Sequence, residues 1–506
     1  MPPVSDDAIS VHNGRLHFDG CDTVALAEEF GTPLFVTSEN KLRQNIRRFH
    51  QAFAAQWTEG EVQILPAIKS NWNLAICTIL ASEGTGADTY SAGELEASLS
   101  AGIAPERISV NGGGKSEETI RRCIEAGVRI TIEDLDEPDL IERVAMELGK
   151  KAYVRFRVKP DFPNLWKLSD FALDYASIAT SIQFYKSGIP AQYLVELGRK
   201  VLRMTHVELV GFHFHGGRHH ASLWYWRGTM RQYARLIGHL CRAWGGYQPK
   251  EIDIGGGFAC PRDPHSKLHA RADVTLTWWA WRPFELISPL LGAWLRNGIS
   301  SLVFNQVMAR GPSQARAPSY EDYAKTAVGA LRDELHKQGV TTTGVCLQIE
   351  PGRGLFGDTG IHITRVKKFK QQTEPVKLNW VLTDTSVFFL TGGVYENNYH
   401  DFRIANRADA PATVVAEIVG HSCYGDRILP LTKIPAVVPG DLIALLDTGA
   451  YQEVSASNFN ALPRPGMVLI NGKRRQFIRR PETTEDVFAR DRIPDWLASP
   501  KQEVLA

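Results

Sequence analysis

A (β/α)8 barrel of the TIM type, followed by a mostly β C-terminal domain, is the fold class the sequence predicts. Three observations carry it. Between about residues 60 and 350, eight short β-like runs alternate with segments of helical spacing, and alternation on that scale predicts a parallel sheet closing into a barrel. Chemically capable residues gather just after those runs, at the strand ends where such barrels carry their sites. Beyond about residue 360 helical spacing fades and β-like runs dominate.

Residues 1–40 contain two short β-like pieces, Arg15–Phe18 and Leu34–Val36, which are expected to join the C-terminal sheet. The barrel is assigned to residues 41–358. Its runs are Val62–Ile68, Gly86–Asp88, Ile108–Asn111, Arg129–Ile132, Tyr153–Val158, Val207–Phe214, Glu251–Ile254 and Val345–Ile349. Stretches such as Asn73–Glu83, Ala92–Ala101, Ser116–Ala126 and Glu137–Leu148 have the 3.6-residue spacing of helices between them. Pro66 interrupts the first run, because a proline offers no N–H to a central ladder. Residues 259–318 form an insertion after the seventh run that holds Trp278, Trp279, Trp281 and Trp294, and a connection of that length is usually functional or mobile. Residues 359–506 form the β-rich domain, with runs at His362–Val366, Trp380–Thr383, Thr413–Val419, Leu442–Leu446 and Met467–Ile470.

Composition narrows the class. A net charge of +1 over 506 residues, without a basic stripe interleaved with aromatics, gives no reason to expect a nucleic-acid partner. No apolar stretch reaches the roughly 18 residues needed to span a bilayer. The start, Met1-Pro2-Pro3-Val4-Ser5-Asp6-Asp7, lacks the basic and apolar regions of a signal peptide. Seven dispersed cysteines without a CxxC pair read as reduced thiols, so a cytoplasmic enzyme with no bound metal is expected.

Several strand ends carry chemistry. Lys69 closes Ile64-Leu65-Pro66-Ala67-Ile68-Lys69; burial lowers an ammonium pKa, and a neutral amine condenses with an aldehyde. Asp88 ends the second run. Gly255-Gly256-Gly257 follows the seventh, where consecutive N–H groups can cradle a phosphate, although the same residues also make a plain tight turn. Glu350-Pro351-Gly352-Arg353 sets a carboxylate beside a guanidinium. Glu350 and Arg353 form either an internal salt bridge or a binding pair in which Glu350 faces a heterocyclic nitrogen cation. Two charges about 4 Å apart at an effective dielectric near 20 interact by roughly 4 kcal/mol, enough to raise a pyridine pKa by up to ~3 units. His213 and His215 share a strand face and read either as satisfied core histidines or as site residues. Tyr451 ends a strand-like run in the second domain, where its hydroxyl either meets a phosphate or packs, and Cys423 lies in a polar turn.

Together these segments resemble the fold-type III pyridoxal-phosphate decarboxylases, the diaminopimelate and ornithine decarboxylase group, over about residues 30–490. Ala67-Ile68-Lys69-Ser70-Asn71 is similar to the family's Schiff-base segment, and Asp88-Thr89-Tyr90-Ser91-Ala92-Gly93-Glu94-Leu95 to the segment after it. Gly211-Phe212-His213-Phe214-His215-Gly216-Gly217 is similar to the strand whose second histidine stacks on the cofactor ring, Ile252–Phe258 to the phosphate loop, and Glu350–Arg353 to the pyridine-nitrogen motif. Tyr451, with Asn458-Phe459-Asn460 and Pro463-Arg464-Pro465 behind it, resembles the closing signature.

The resemblance implies pyridoxal 5′-phosphate as cofactor. It implies cofactor-binding roles for Lys69, Asp88, His215, Gly255, Gly256, Gly257, Glu350, Gly352, Arg353 and Tyr451, and catalytic roles for Lys69 and Cys423, the latter protonating the carbanion left by CO2. It implies substrate contacts from Arg353, Tyr395 and Tyr451, and a homodimer in which Cys423 reaches into the partner's site. Departures stand beside the likeness. Cys423 is followed by Tyr424-Gly425-Asp426 where diaminopimelate decarboxylases carry Glu-Ser-Gly-Asp, Thr391 stands where they carry an arginine, and Arg218 replaces a serine near the phosphate. The expectation is therefore an amino-acid decarboxylase acting on something other than diaminopimelate, because its charged ends would be left unpaired. A racemase of the same fold and an inactive cofactor-binding homologue are the competing readings; Glu350 and Cys423 favour decarboxylation.

Overall fold

The computed structural model describes residues 8–161, 185–217, 221–263, 317–373, 377–392 and 400–497, with isolated positions between 286 and 302. The tryptophan-bearing part of the 259–318 insertion lies outside the described residues.

The eight runs are the eight barrel strands: Val62–Ile64, Ala87–Thr89, Ile108–Val110, Arg129–Ile132, Ala152–Lys159, Val207–His213, Glu251–Asp253 and Cys346–Ile349. The second to the eighth pair in parallel in chain order, and the eighth pairs with the first. Only the seam between first and second lacks a regular ladder. Pro66 supplies no donor there, so the first strand stops at Ile64. The ring closes through the Gly86 N–H to the Ile64 carbonyl at 2.8 Å, the Asp88 N–H to the Pro66 carbonyl at 3.0 Å, and one bridge between Ala67 and Asp88.

Helices lie at Leu74–Ser82, Ala92–Ser100, Glu117–Ala126 and Glu137–Leu148, within a residue or two of the ranges read from spacing. Asn73, Ser91 and Ser116 cap the first three by accepting backbone N–H bonds. Ile108, Val110, Ile130, Ile132, Val154 and Phe156 belong to the main apolar core. The alternate residues Ser109, Thr131, Arg155, Asp253 and Gln348, from five different strands, bond to one another through Arg155 and so share the barrel interior. A polar interior layer is a departure from the Val, Ile and Leu that ordinarily fill such barrels.

In the β-rich part, the long strand Gly360–Gln372 pairs antiparallel with Leu34–Ser38, Leu378–Thr383 and Leu442–Leu446, and Gly466–Asn471 runs parallel to Leu34–Ser38. Strands Phe402–Ile404, Val414–Val419, Arg427–Ile434 and Arg474–Arg479 complete the sheet. Phe402–Ile404, three residues long, escaped the sequence reading, as did the last two, because Pro430, Lys433 and four arginines break their apolar alternation. All seven cysteines are free. No described helix is long and apolar enough to cross a membrane.

Candidate active site

Lys69 projects from a single 3-10 turn, Ile68–Ser70, that the broken first strand makes necessary. The turn is held from two sides: the Ala67 N–H donates to the Pro351 carbonyl at 3.2 Å, and the Tyr451 N–H donates to the Ser70 carbonyl at 2.8 Å. The lysine side chain is 48% exposed, while its ammonium reaches Asp88 Oδ2 at 2.9 Å. Burial alone was expected to neutralise this amine. It does weigh against the charge, but Asp88, followed by Tyr451 and Glu350, outweighs it and holds the ammonium well above its ordinary value. Lys69 is therefore a paired cation in the cofactor-free protein, a correction to the sequence expectation.

Asp88 is buried, and its second oxygen accepts from Asn111 Nδ2 at 2.6 Å; the same amide donates to Glu350 Oε1 at 2.9 Å. His213 Nε2 meets Glu350 Oε2 at 2.9 Å, and Arg155 Nη2 donates to Glu350 Oε1 at 3.1 Å. Burial drives His213 down to about 3, so its neutral ring donates Nε2–H to the carboxylate. Burial and the nearby Asp88 push Glu350 up to about 7, against the pull of Arg155 and Lys69. Asp253 is likewise raised, to about 6, by burial and then by Glu350. His213, Asp253 and Glu350 bring ligand atoms within 4.8 Å of one another, but Arg155 already bonds both carboxylates. The cluster thus favours a bound organic cation over a metal ion.

Beside Glu350 the glycine turn bends through positive φ at Gly255 (69°) and Gly257 (102°). A Cβ at Gly256 would lie 2.2 Å from the Glu350 carbonyl oxygen, and one at Gly352 would lie 2.3 Å from the Tyr451 hydroxyl and 2.6 Å from Ser70 Oγ. Two hydroxyls thus converge on the bare face of Gly352, and Ser70 Oγ is buried with no partner among the described residues. Tyr451 itself holds φ at 65°, a conformation that costs a bulky residue about 1–3 kcal/mol and persists where surroundings enforce it. The His215 Nδ1 accepts the Gly256 N–H at 3.2 Å. An amine next to a glycine-and-hydroxyl cradle, with a carboxylate beyond it, fits an aldehyde bearing a phosphate and a basic ring nitrogen.

Lys69, Asp88, His215, Gly255, Gly256, Gly257, Glu350, Gly352 and Tyr451 are thus brought together. Arg353 is not. Its guanidinium, 1% exposed, pairs with Asp263 at 2.7 Å and donates to the Asp447 carbonyl at 2.8 Å, so the salt bridge with Glu350 does not form and its cofactor and substrate roles lose their support. Asp263 and its neighbour Arg262, which bonds Asp447 at 2.7 Å, fasten the start of the insertion. Cys423 sits exposed on the turn after the Val414–Val419 strand, its N–H on Asn460 Oδ1 at 2.9 Å. No bond among the described residues joins Cys423 to Lys69 or Glu350. Tyr395 and Arg218 lie outside the described residues. The sequence reading missed Arg155 entirely and left His213 and Asn111 unassigned.

The family model for the pyridoxal binding domain of pyridoxal-dependent decarboxylases matches residues 39–280. Diaminopimelate decarboxylase of Archaeoglobus fulgidus is 29% identical over 489 residues, spanning 96% of this chain and 99% of the relative. That of Methanocaldococcus jannaschii is 27% identical over 505 residues, 98% of this chain and 99% of its own. The crystal structure of the M. jannaschii enzyme in complex with L-lysine superposes with a TM-score of 0.81 at 26% identity, covering 97% of this chain and 99% of that one.

Proposed function

The chain belongs to the fold-type III pyridoxal-phosphate-dependent decarboxylases, and from that premise we propose that it decarboxylates an amino acid lacking the second charged end of diaminopimelate. When bound, pyridoxal phosphate supplies an aldehyde for covalent attachment and a ring that accepts the electron pair released as CO2 leaves. Lys69 would be its covalent anchor, Asp88 would pair with the ammonium when that anchor is released, and Glu350 would sit against the ring nitrogen. Ser70, Gly352, Tyr451 and the Gly255–Gly257 turn would hold the phosphate. His215 would support the ring, and Cys423 would return a proton to the substrate carbon in the site of a second copy of the chain.

The restriction on substrate rests on the turn carrying Cys423. Its one acid, Asp426, is buried and accepts the Val387 N–H at 2.6 Å and the Ser422 N–H at 2.7 Å, while Tyr424 is 64% exposed. Thr391 gives its hydroxyl to the Phe388 and Ser455 carbonyls at 2.8 and 3.0 Å. Neither position offers a charge to a distal ammonium or carboxylate. A site built with matched polar partners discriminates by as much as about 10⁴-fold against a ligand lacking them, and the reverse mismatch is penalised by the same physics.

The test is a panel of D- and L-amino acids with CO2 capture and product mass spectrometry. Release of CO2 from a substrate without a distal charged group, with diaminopimelate a poor substrate, is the expected result. Diaminopimelate turned into lysine as the best substrate overturns the specificity; racemisation without CO2 overturns the reaction.

A further inference from the structure

Arg155 lies in the middle of the Ala152–Lys159 strand with no exposed surface. All five of its N–H groups have an acceptor. Nε donates to Thr131 Oγ1 at 2.9 Å, Nη1 to Asp253 Oδ2 and Gln348 Oε1 at 2.6 Å each, and Nη2 to Ser109 Oγ at 2.7 Å and Glu350 Oε1 at 3.1 Å. Asp253 uses its other oxygen to accept the Gly255 N–H at 2.7 Å, and the Glu350 N–H returns to the Gly255 carbonyl at 3.0 Å. One guanidinium therefore links the glycine turn, through Asp253, to the carboxylate of Glu350.

The charges of the interior explain what such a link does. Asp88, Asp253 and Glu350 face two cations, Lys69 and Arg155, with neutral His213 and Asn111 between them. Glu94, raised by burial and Asp88 and lowered by Lys69, adds a further acid to the same field, so acids outnumber bases and a further positive charge against Glu350 would be stabilised. A proton shared between Glu350 and a ring nitrogen held against it would supply that charge. The guanidinium touches Glu350 directly, whereas a ring nitrogen held against that carboxylate would lie farther from it, so Arg155 would lower the proton affinity of the carboxyl more than that of the nitrogen. Arginine suits the task because its planar fork stays charged and fixes two acceptors at once.

We propose that Arg155 is a positioning residue of this site: it holds Glu350 as an anion in one orientation and so sends the shared proton from the carboxyl to the cofactor's ring nitrogen. This rests on the reading above that Glu350 faces that nitrogen. Through Asp253 the same residue couples the charge of the ring to the shape of the phosphate turn.

The experiment loads the full-length protein with pyridoxal 5′-phosphate labelled with ¹⁵N in the ring and reads the nitrogen resonance at neutral pH. The parent is expected in the pyridinium range and Arg155→Gln in the neutral pyridine range. Arg155→Lys, which keeps the charge but loses the fork, returns the signal toward pyridinium, a rescue that a purely structural role does not produce. A folded Arg155→Gln with an unshifted pyridinium signal overturns the proposal. Should Arg155→Gln fail to fold, Ser109→Ala removes one of the groups restraining Nη2. A partial displacement toward neutral pyridine then supports the proposal, and none overturns it. A neutral ring in the parent, or a pyridinium that survives Glu350→Gln, instead strikes at the reading of Glu350 itself.

Discussion

Replacing Glu350 by glutamine in the cofactor-free protein should make its stability advantage over the parent grow with pH. Burial and the adjacent Asp88 raise the Glu350 carboxyl from its ordinary 4.5 to about 7. A carboxyl whose folded-state pKa exceeds its unfolded one favours the fold in its protonated form. That contribution is complete below the unfolded value and is lost as pH climbs through the folded one. A rise of about 2.5 units corresponds to about 3 kcal/mol at pH 8, of which only about 1 kcal/mol has been lost at pH 5. Glutamine carries no such titration. Its Oε1 can keep the bonds from Arg155 and Asn111, and its Nε2 can donate to His213 Nε2 once the ring proton moves to Nδ1, which has no partner among the described residues. Urea unfolding of both proteins, followed through the buried Trp226 and Trp244, reads the difference. Stability of Glu350→Gln relative to the parent should rise by about 2 kcal/mol between pH 5 and pH 8. Any constant offset from altered hydrogen bonds cancels in that comparison. A difference that stays flat across the range refutes the argument that burial and Asp88 outweigh Arg155 and Lys69 at the Glu350 carboxyl.

Three further outcomes follow from the same geometry. Lys69→Ala should abolish the borohydride-reducible adduct with pyridoxal phosphate, checked by peptide mass spectrometry; an adduct on another lysine removes Lys69 from the site. Mixing inactive Lys69→Ala and Cys423→Ala chains should restore about a quarter of parental activity if each site draws on both copies of a two-fold assembly, and no recovery places Cys423 outside the partner's site. Asp263→Ala leaves the buried guanidinium of Arg353 without its carboxylate, so thermal or urea unfolding should show a loss of about 3–5 kcal/mol, whereas a loss under about 1 kcal/mol marks the pair as a surface-like contact.

The parts of this structure legible in the sequence are those set by local rules. Strand and helix runs show as changes of period, and glycine turns show because few other residues accept their backbone. Pro66 announced the gap in the first strand, and that gap is what throws Lys69 out of the sheet. Arg155 stayed hidden for an equally physical reason. In Ala152–Lys159 apolar residues alternate with Arg155, Arg157 and Lys159, the pattern of a strand with one wet face. Only closure of the ring converts that face into a polar interior, and closure depends on strands far apart in the chain. Arg353 failed in the opposite sense. Adjacency to Glu350 suggested pairing, yet Glu350 closes a strand that aims it inward, while Arg353 opens a helix aimed at Asp263 and Asp447.

The turn that bears Lys69 hangs between two halves of the molecule, tied to the barrel at Pro351 and to the β-rich part at Tyr451. Neither half by itself frames the Lys69 amine. On the role proposed for Lys69, a change remote from the chemistry, in the sheet that anchors Tyr451, would alter the pitch at which the lysine meets its cofactor. Such damage would announce itself as a change in the colour of the bound vitamin before either half begins to melt.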